Sequence, residues 1–268
     1  MKISFIGGGT MAEAMLTGIL ENNLATQEDI SIGERVESRR KFLEKQFGIK
    51  VSANNSDATK GSDLIILSVK PQDLDSVFGE IREGLQTNQI VMSIVAGASM
   101  SKISQGLEHS LIVRVMPNAP SQIGKGMSVW IASAGIPSAK LEAVQSILES
   151  LGEQWLVKDE KYMDMATALS ASGPAYVWLF LEALVDGGVH IGLPREMAEV
   201  LALQTAFGSI VMAKSSGRHP ADLRDMVTSP GGTTTEGLLV LKEDGFQGTI
   251  IQAILAAYEK AQDLGGSE

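Results

Sequence analysis

The chain opens with a short apolar run that leads directly into three consecutive glycines. Residues 3–6 precede Gly7-Gly8-Gly9-Thr10-Met11-Ala12, and a helical pattern follows. This is the G-x-G-x-x-A pattern, in which Gly7 permits a tight turn, Gly9 lets a pyrophosphate approach the backbone, and small Ala12 allows close helix–strand packing. A plain glycine turn is the alternative, but strand–turn–helix is the context that a dinucleotide-binding motif requires. The motif therefore predicts a nicotinamide-dependent oxidoreductase.

Strand and helix signals alternate along the first 160 residues. Strands are expected at 2–6, 30–32, 50–52, 64–69, 89–95, 111–115, 127–132 and 154–157. Helical patterns lie between them at 11–21, 37–47, 71–83, 101–107 and 138–151. The strands at 64–69 and 89–95 are apolar on both faces, as expected between two helix layers. This alternation predicts an α/β fold with an N-terminal Rossmann-like, doubly wound domain over residues 1–160.

Beyond residue 160 the strand signals stop and helical periodicity takes over. Helices are expected at 162–190, 195–214, 220–226, 234–242 and 247–264, bounded by glycine and proline turns. Gly173-Pro174 marks a place where the first of these helices begins or bends. Several helices are apolar around most of their circumference, and so small a domain has little interior of its own. We therefore expect an all-helical dimerisation domain over residues 161–268.

Composition excludes several classes of function. The chain has no cysteine, and its three histidines (His109, His190 and His219) lack the spacing of a metal site. A net charge of −10 argues against a nucleic-acid-binding surface. No uninterrupted apolar run approaches the roughly 20 residues of a membrane span. We expect a cytoplasmic protein with no metal, no nucleic-acid partner and no membrane partner.

Two charged residues follow the second expected strand and bear on cofactor choice. Glu34 favours NAD, because an acidic residue there binds the ribose 2′-hydroxyl, whereas Arg35 favours the 2′-phosphate of NADP. A third interpretation is that both side chains are solvated charges of a loop and contact no cofactor. The cofactor is therefore NADPH or NADH, with the choice open.

Three further turns follow expected strands at the carboxyl edge, where doubly wound sheets bind ligands. In Ser68-Val69-Lys70-Pro71, two interpretations of Lys70 are open: it contacts the cofactor or substrate, or it is an ordinary surface lysine. Ala96-Gly97-Ala98 leaves room for a nicotinamide ring or forms a simple turn. The segment 114–120, which starts at Arg114, lines the same crevice or is ordinary loop structure.

The helical half contains one polar, glycine-rich segment, Thr228-Ser229-Pro230-Gly231-Gly232-Thr233-Thr234-Thr235. Its hydroxyls and the N–H groups of a helix start suit a carboxylate. A capping box from Thr233 to Glu236 is the alternative, but it explains only one of these hydroxyls. We therefore interpret the segment as an anion site.

The chain lacks the usual acids of carbonyl reduction. No tyrosine is followed four residues later by a lysine, and residues 170–182 contain no lysine. A protonated imine is already electrophilic, so a hydroxyl that holds its nitrogen, together with orientation against the cofactor, suffices. The pattern favours imine over carbonyl reduction.

Taken in order, these segments resemble the pyrroline-5-carboxylate reductase family. The resemblance rests on residues 5–12, Val69-Lys70-Pro71, Arg114-Val115-Met116-Pro117-Asn118, Ser172-Gly173-Pro174-Ala175-Tyr176 and, most specifically, residues 219–234. It implies hydride transfer from NADPH or NADH to 1-pyrroline-5-carboxylate, giving L-proline in the last step of proline biosynthesis. It also implies homodimers through the helical domain, with homodecamers in some members. Ala171 and Ala119 depart from the family's usual glycine and threonine, which leaves close cyclic-imine analogues open as substrates.

The resemblance also assigns roles to residues. The substrate carboxylate would be held by Ser229, Gly231, Gly232, Thr233 and Thr234, with Thr234 at the ring nitrogen and Ser229 and Thr234 as the catalytic pair. The cofactor would be lined by Gly7, Gly8, Gly9, Thr10, Met11, Asn55, Ser68, Val69, Lys70, Pro71, Val95, Ala96 and Gly97, beside Glu34 and Arg35. Two rivals stay open: a related reductase for another imine or a hydroxyacid, and a non-catalytic dinucleotide sensor or scaffold.

Overall fold

The computed structural model describes residues 1–266, which form two compact units. One unit comprises residues 1–172 together with the chain from residue 257 onward, and the other comprises residues 173–256. The division falls later than residue 160 because Met163 is fully buried against Val129 and Ile131 of the first unit. A functional boundary at residue 160 stays a prediction.

The first unit is built on one eight-stranded sheet. Its strands are β1 (Ile3–Ile6), β2 (Ile30–Gly33), β3 (Lys50–Ser52), β4 (Leu64–Leu67), β5 (Ile90–Ser93), β6 (Ile112–Met116), β7 (Gly126–Ala132) and β8 (Gly152–Leu156). They lie in the order β3-β2-β1-β4-β5-β6-β7-β8. The six strands β1 to β6 are parallel and follow the order of a dinucleotide-binding sheet. The expected α/β class is confirmed.

One strand pair departs from the expected parallel arrangement. β6 and β7 run antiparallel, with Arg114 opposite Ile131. Only a short 3-10 turn, Ala119–Ile123, lies between these strands, whereas a parallel pair needs a crossover of about a dozen residues or more. β8 then returns parallel to β7 after a helix.

Helices cover both faces of this sheet. They are α1 (Thr10–Glu21), α2 (Glu37–Phe47), α3 (Asn55–Thr59), α4 (Leu74–Ile81), α5 (Met100–Leu107), α6 (Ser138–Glu149) and α7 (Lys161–Ala166). Side chains of β4 alternate between the two faces: Leu64 and Ile66 pack into one apolar cluster, and Ile65 and Leu67 into the other. The sheet is therefore the wall between two cores.

The second unit is helical, as predicted. It contains α8 (Gly173–His190), α9 (Arg195–Ser216), α10 (Pro220–Met226), α11 (Thr233–Glu243) and the start of α12 (Phe246–Gly265). A π-helical turn, Thr167–Ala171, ends the preceding helix, and the N–H of Ser172 donates to Thr167 O at 2.9 Å. The helical run predicted over 162–190 is thus interrupted at Gly173-Pro174, where the sequence places a beginning or a bend and where α8 begins.

Two helical stretches meet the length and apolarity of a membrane span: Lys161–His190 and Arg195–Ser216. This average measure tolerates isolated charges such as Glu182 and Asp186, which interrupt the apolar runs, so it does not contradict the expectation that no uninterrupted run reaches this length. Few of their residues are buried within the chain, and Leu179, Val200, Leu203 and Phe207 are each more than half exposed.

Candidate cofactor and substrate sites

The glycine turn is tight on one side and open on the other. Gly7 has φ +95° and donates its N–H to Gly33 O at 2.8 Å. A Cβ on Gly7 would lie 2.9 Å from Ser68 O, whereas a Cβ on Gly9 would meet nothing within 4 Å. Gly7 is therefore required by the fold, and Gly9 leaves space for a ligand to approach the backbone.

The start of α1 supplies unpaired donors at that open side. Gly9 is the residue before the helix, no side chain caps it, and the first helical bond runs from Glu13 N–H to Gly9 O. Within residues 1–266, no acceptor takes the N–H of Thr10, Met11 or Ala12. Three free N–H groups and the positive end of the helix dipole fit the diphosphate of a dinucleotide.

A cavity of about 480 Å³ opens beside this turn. Nine of the predicted cofactor residues line it: Gly7, Gly8, Gly9, Glu34, Arg35, Asn55, Ser68, Val69 and Lys70. The sequence interpretation missed five others: Gly33, Val36, Gln72, Asp73 and Val77. Thr10, Met11, Pro71, Val95, Ala96 and Gly97 do not line this cavity.

Lys70 stands at the carboxyl end of β4, just before a 3-10 turn that begins at Pro71. Its side chain is exposed, and no acid within the described residues pairs with it. The Ser68 hydroxyl has a structural role, because it donates to Gly7 O at 2.7 Å. Lys70 is therefore the free cation of this edge, available to an anion.

The turn after β5 has a packing role that the sequence did not reveal. Gly97 has φ +71°, and a Cβ there would lie 2.9 Å from Leu264 O near the end of α12. Both the backbone conformation and this close approach demand glycine. Val95 is buried and Ala96 half-buried beside it.

The sequence leaves open whether the segment that starts at Arg114 lines a crevice or is ordinary loop structure, and Arg114 itself makes structural contacts. Its side chain is only 7% exposed and donates to Glu160 at 2.7 Å and to Asp164 at 3.2 Å. Glu160 also accepts the N–H of Met100 at 2.7 Å. Asn118 is likewise structural, since its side-chain oxygen accepts the N–H of Met127 at 2.8 Å. The segment therefore ties β6, α5 and α7 together.

The second unit holds the predicted anion loop, residues 229–234, at the start of α11. Thr233 is the first helical residue, and Gly232 precedes it with no side-chain cap. The capping box expected as the alternative is therefore absent. The hydroxyl of Thr235 instead donates to Ser229 O at 2.6 Å, which closes the loop on itself.

This closure leaves the predicted substrate groups free. Within the described chain, the hydroxyls of Ser229, Thr233 and Thr234 make no hydrogen bond, and the N–H groups of Thr233 and Thr234 have no acceptor. Gly231 has φ +69°, and a Cβ on Gly232 would lie 2.5 Å from Ser229 Oγ. Both glycines are thus needed to bring the hydroxyls and N–H groups to one exposed helix start, which suits a carboxylate.

Metal chemistry finds no support in the described part of the chain. Among residues 1–266, no three His, Asp or Glu side chains come together in a way that could hold an ion.

Two family models match the chain. "Pyrroline-5-carboxylate reductase dimerisation" matches residues 160–264, and "NADP oxidoreductase coenzyme F420-dependent" matches residues 2–97. A pyrroline-5-carboxylate reductase of Synechocystis is 42% identical over 99% of this chain and 98% of its own length. Another, from Methanosarcina acetivorans, is 37% identical over 98% of both chains.

Solved structures agree. A pyrroline-5-carboxylate reductase from Coxiella burnetii superposes with a TM-score of 0.91 at 32% identity, covering 99% of both chains. The pyrroline carboxylate reductase of Plasmodium falciparum, solved with NADP bound, gives 0.89 at 34% identity, covering 99% of this chain and 98% of its own.

Proposed function

The chain belongs to the pyrroline-5-carboxylate reductase family, and from this premise we propose which of its residues carry the family's reaction. It is an NAD(P)H-dependent oxidoreductase that reduces 1-pyrroline-5-carboxylate to L-proline, the last step of proline biosynthesis. The C=N carbon of the protonated imine gains a hydride, which the reduced cofactor would supply when bound, and the nitrogen keeps its proton and becomes a secondary amine. The observation that carries this assignment is 42% identity over nearly the whole chain.

The first unit binds the cofactor, whose reduced nicotinamide supplies the hydride. Its diphosphate is held by the free N–H groups that follow Gly9, those of Thr10 and Met11, with Lys70 as the nearby free cation. Of the remaining assigned residues, those that line the cavity are Gly7, Gly8, Glu34, Arg35, Asn55, Ser68 and Val69. The others lie outside that lining and are assigned to the cofactor from the family alone: Pro71, Val95, Ala96 and Gly97.

The 229–234 loop binds the substrate. Its free N–H groups and the hydroxyls of Ser229 and Thr233 hold the carboxylate, while the hydroxyl of Thr234 contacts the ring nitrogen. Gly231 and Gly232 keep the loop in the conformation that exposes these groups. No strong acid is required, because a protonated imine accepts a hydride directly. Thr234 has only to hold the ring nitrogen so that the C=N carbon faces the hydride donor.

The test follows NAD(P)H absorbance with 1-pyrroline-5-carboxylate and a panel of other imines and ketoacids. Thr234→Val keeps the side-chain shape and removes the hydroxyl, so we expect kcat/KM to fall by about 10- to 100-fold. Thr249→Val is the matched control, since the Thr249 hydroxyl, in the first turn of α12, donates to the carbonyl of Gly245 just before that helix. Undiminished turnover by Thr234→Val would refute the role of that hydroxyl. Cofactor binding without oxidation by any substrate would favour a dinucleotide sensor.

The helical unit makes the protein a homodimer. The dimerisation model matches residues 160–264, and α8 and α9 expose large apolar side chains such as Trp178, Leu203 and Phe207. An isolated chain would leave this surface in water, whereas a second copy buries it. Sedimentation should give at least twice the chain mass of 28.5 kDa, and a tenfold mass would indicate decamers. A monomer would contradict the proposal. We place this assembly in the cytoplasm, without nucleic acid or membrane.

A further inference from the structure

The carboxylate of Glu34 is fixed on the glycine turn by the backbone. One of its oxygens accepts the N–H of Gly8 at 2.9 Å, and the other accepts the N–H of Val36 at 2.8 Å. A Cβ on Gly8 would lie 3.3 Å from Glu34 Oε2, so the acid rests directly against the turn. Glu34 follows β2, where dinucleotide-binding sheets hold the adenosine ribose.

Arg35, the residue that favours a 2′-phosphate, is engaged elsewhere. Its guanidinium donates to Ser76 Oγ at 3.0 Å and forms an ion pair with Glu80. The second oxygen of Glu80 accepts from Asn55 Nδ2 at 2.7 Å, and Asn55 is only 3% exposed. Glu80 therefore holds Arg35 with one oxygen and a buried amide with the other.

The neighbouring arginines are also occupied. Arg40 donates to the carbonyls of Glu34 at 3.0 Å and Arg35 at 2.7 Å. Arg39 donates to Gly8 O at 2.5 Å and pairs with Glu13. Each of the three guanidiniums after β2 thus has protein acceptors, so a phosphate would have to displace them. Lys70, which is free, follows β4 rather than β2.

We propose that Glu34 is the cofactor-specificity residue of this enzyme and that it selects NADH over NADPH. The inference rests on the reductase function proposed above. Each carboxylate oxygen that accepts one N–H has a further lone pair for a ribose hydroxyl. A 2′-phosphate offers no such donor, and its charge of about −1.5 to −2 is repelled by the fixed carboxylate.

The test measures dissociation constants of NADH and NADPH for the full chain by calorimetry, without substrate, and then kcat/KM for both. We expect the wild type to bind NADH at least about tenfold more tightly. Glu34→Gln keeps an acceptor for the Gly8 N–H and removes the charge, so it should shift the ratio toward NADPH by about tenfold or more. Glu37→Gln makes the same charge change on the first turn of α2, where Glu37 pairs with Lys41 on the surface, and should leave the ratio unchanged.

A third variant separates Glu34 from its neighbour. Arg35→Gln should shift the NADH-to-NADPH ratio by less than Glu34→Gln does, because the Arg35 guanidinium is held by Glu80. A selective tenfold loss of NADPH affinity in Arg35→Gln would overturn the proposal. So would a wild type that binds NADPH as tightly as NADH, or a Glu34→Gln shift no larger than that of Glu37→Gln.

Two features keep the outcome decisive. The ratio of NADH to NADPH dissociation constants in the wild type needs no variant, so it tests the predicted preference for NADH even if Glu34→Gln fails to fold. Binding is measured without an imine, so absent turnover would count against the reductase function and leave the specificity result standing.

Discussion

Replacing Arg114 by methionine removes the cation at the centre of a mostly buried charge cluster. The arginine side chain is 7% exposed, and its partners Glu160 and Asp164 are 32% and 24% exposed. Methionine fills much of the same volume, so the main loss is electrostatic. The two carboxylates stay in a partly buried position without the cation that both of them contact.

The magnitude follows from that burial. Breaking a fully buried ion pair by removing one partner costs about 3–5 kcal/mol of unfolding free energy. Because both acids are partly exposed, water screens the unpaired charges, and we expect a loss near the lower end, about 3 kcal/mol. At about 2–4 °C per kcal/mol for a chain of this size, the melting temperature should fall by about 6–12 °C.

Urea unfolding at pH 7 and fixed protein concentration measures the change through the midpoint, provided that the slope is unaltered. Arg82→Met is the matched control, because Arg82 pairs with Glu108 at 3.2 Å on the surface, where both are largely exposed. That control should lose less than about 1 kcal/mol.

Neutralising the two acids as well should rescue the fold. Arg114→Met combined with Glu160→Gln and Asp164→Asn leaves no uncompensated charge, so the triple variant should recover most of the lost stability. The reasoning is refuted if Arg114→Met behaves like Arg82→Met, or if the triple variant is no more stable than the single one.

Two glycines of the phosphate-binding turn should respond differently to alanine. In Gly7→Ala the new Cβ would lie 2.9 Å from Ser68 O at a strained φ, so urea unfolding should show a loss of about 1–3 kcal/mol. Gly9→Ala should leave the urea midpoint unchanged and should weaken cofactor binding measured by titration. Equal urea midpoints for the two variants would contradict this. Asp159 has its pKa lowered below 3.8 by hydrogen bonds from the Lys161 backbone N–H and side chain. Its contribution to stability is therefore complete above that value and is lost as the pH falls through the lowered pKa. Asp159→Asn should be less stable than wild type at pH 7, and the difference should shrink as the pH falls below 3.8 and through the lowered pKa. A difference that stays constant on acidification would count against the assignment.

The regular elements could be predicted because their signals are local. Predicted α2 and α10 match the observed helices to the residue, and each strand was located within a few residues. α3 was missed, because five residues make less than two turns and show no helical period. Its signal was the cap: Asn54 accepts the N–H of Ser56 at 2.9 Å.

The site could be predicted only where a motif has a local shape. The glycine turn and the 229–234 loop could be located in the sequence because their positive φ angles require glycine, at Gly7 and at Gly231. The cluster of Arg114, Glu160 and Asp164 could not be found this way, since its members lie 46 and 50 residues apart. The choice between Glu34 and Arg35 likewise depended on Glu80, which comes from α4.

The end of α12 against the Gly97 turn has a consequence for how the chain is made. A ribosome releases residues 1–172 well before residues 257–266, and the helical unit lies between them in sequence. Domains generally fold as their residues emerge, so the sheet can form while Gly97 still lacks its partner Leu264. The turn after β5 is therefore among the last parts of the first unit to find its contacts during synthesis.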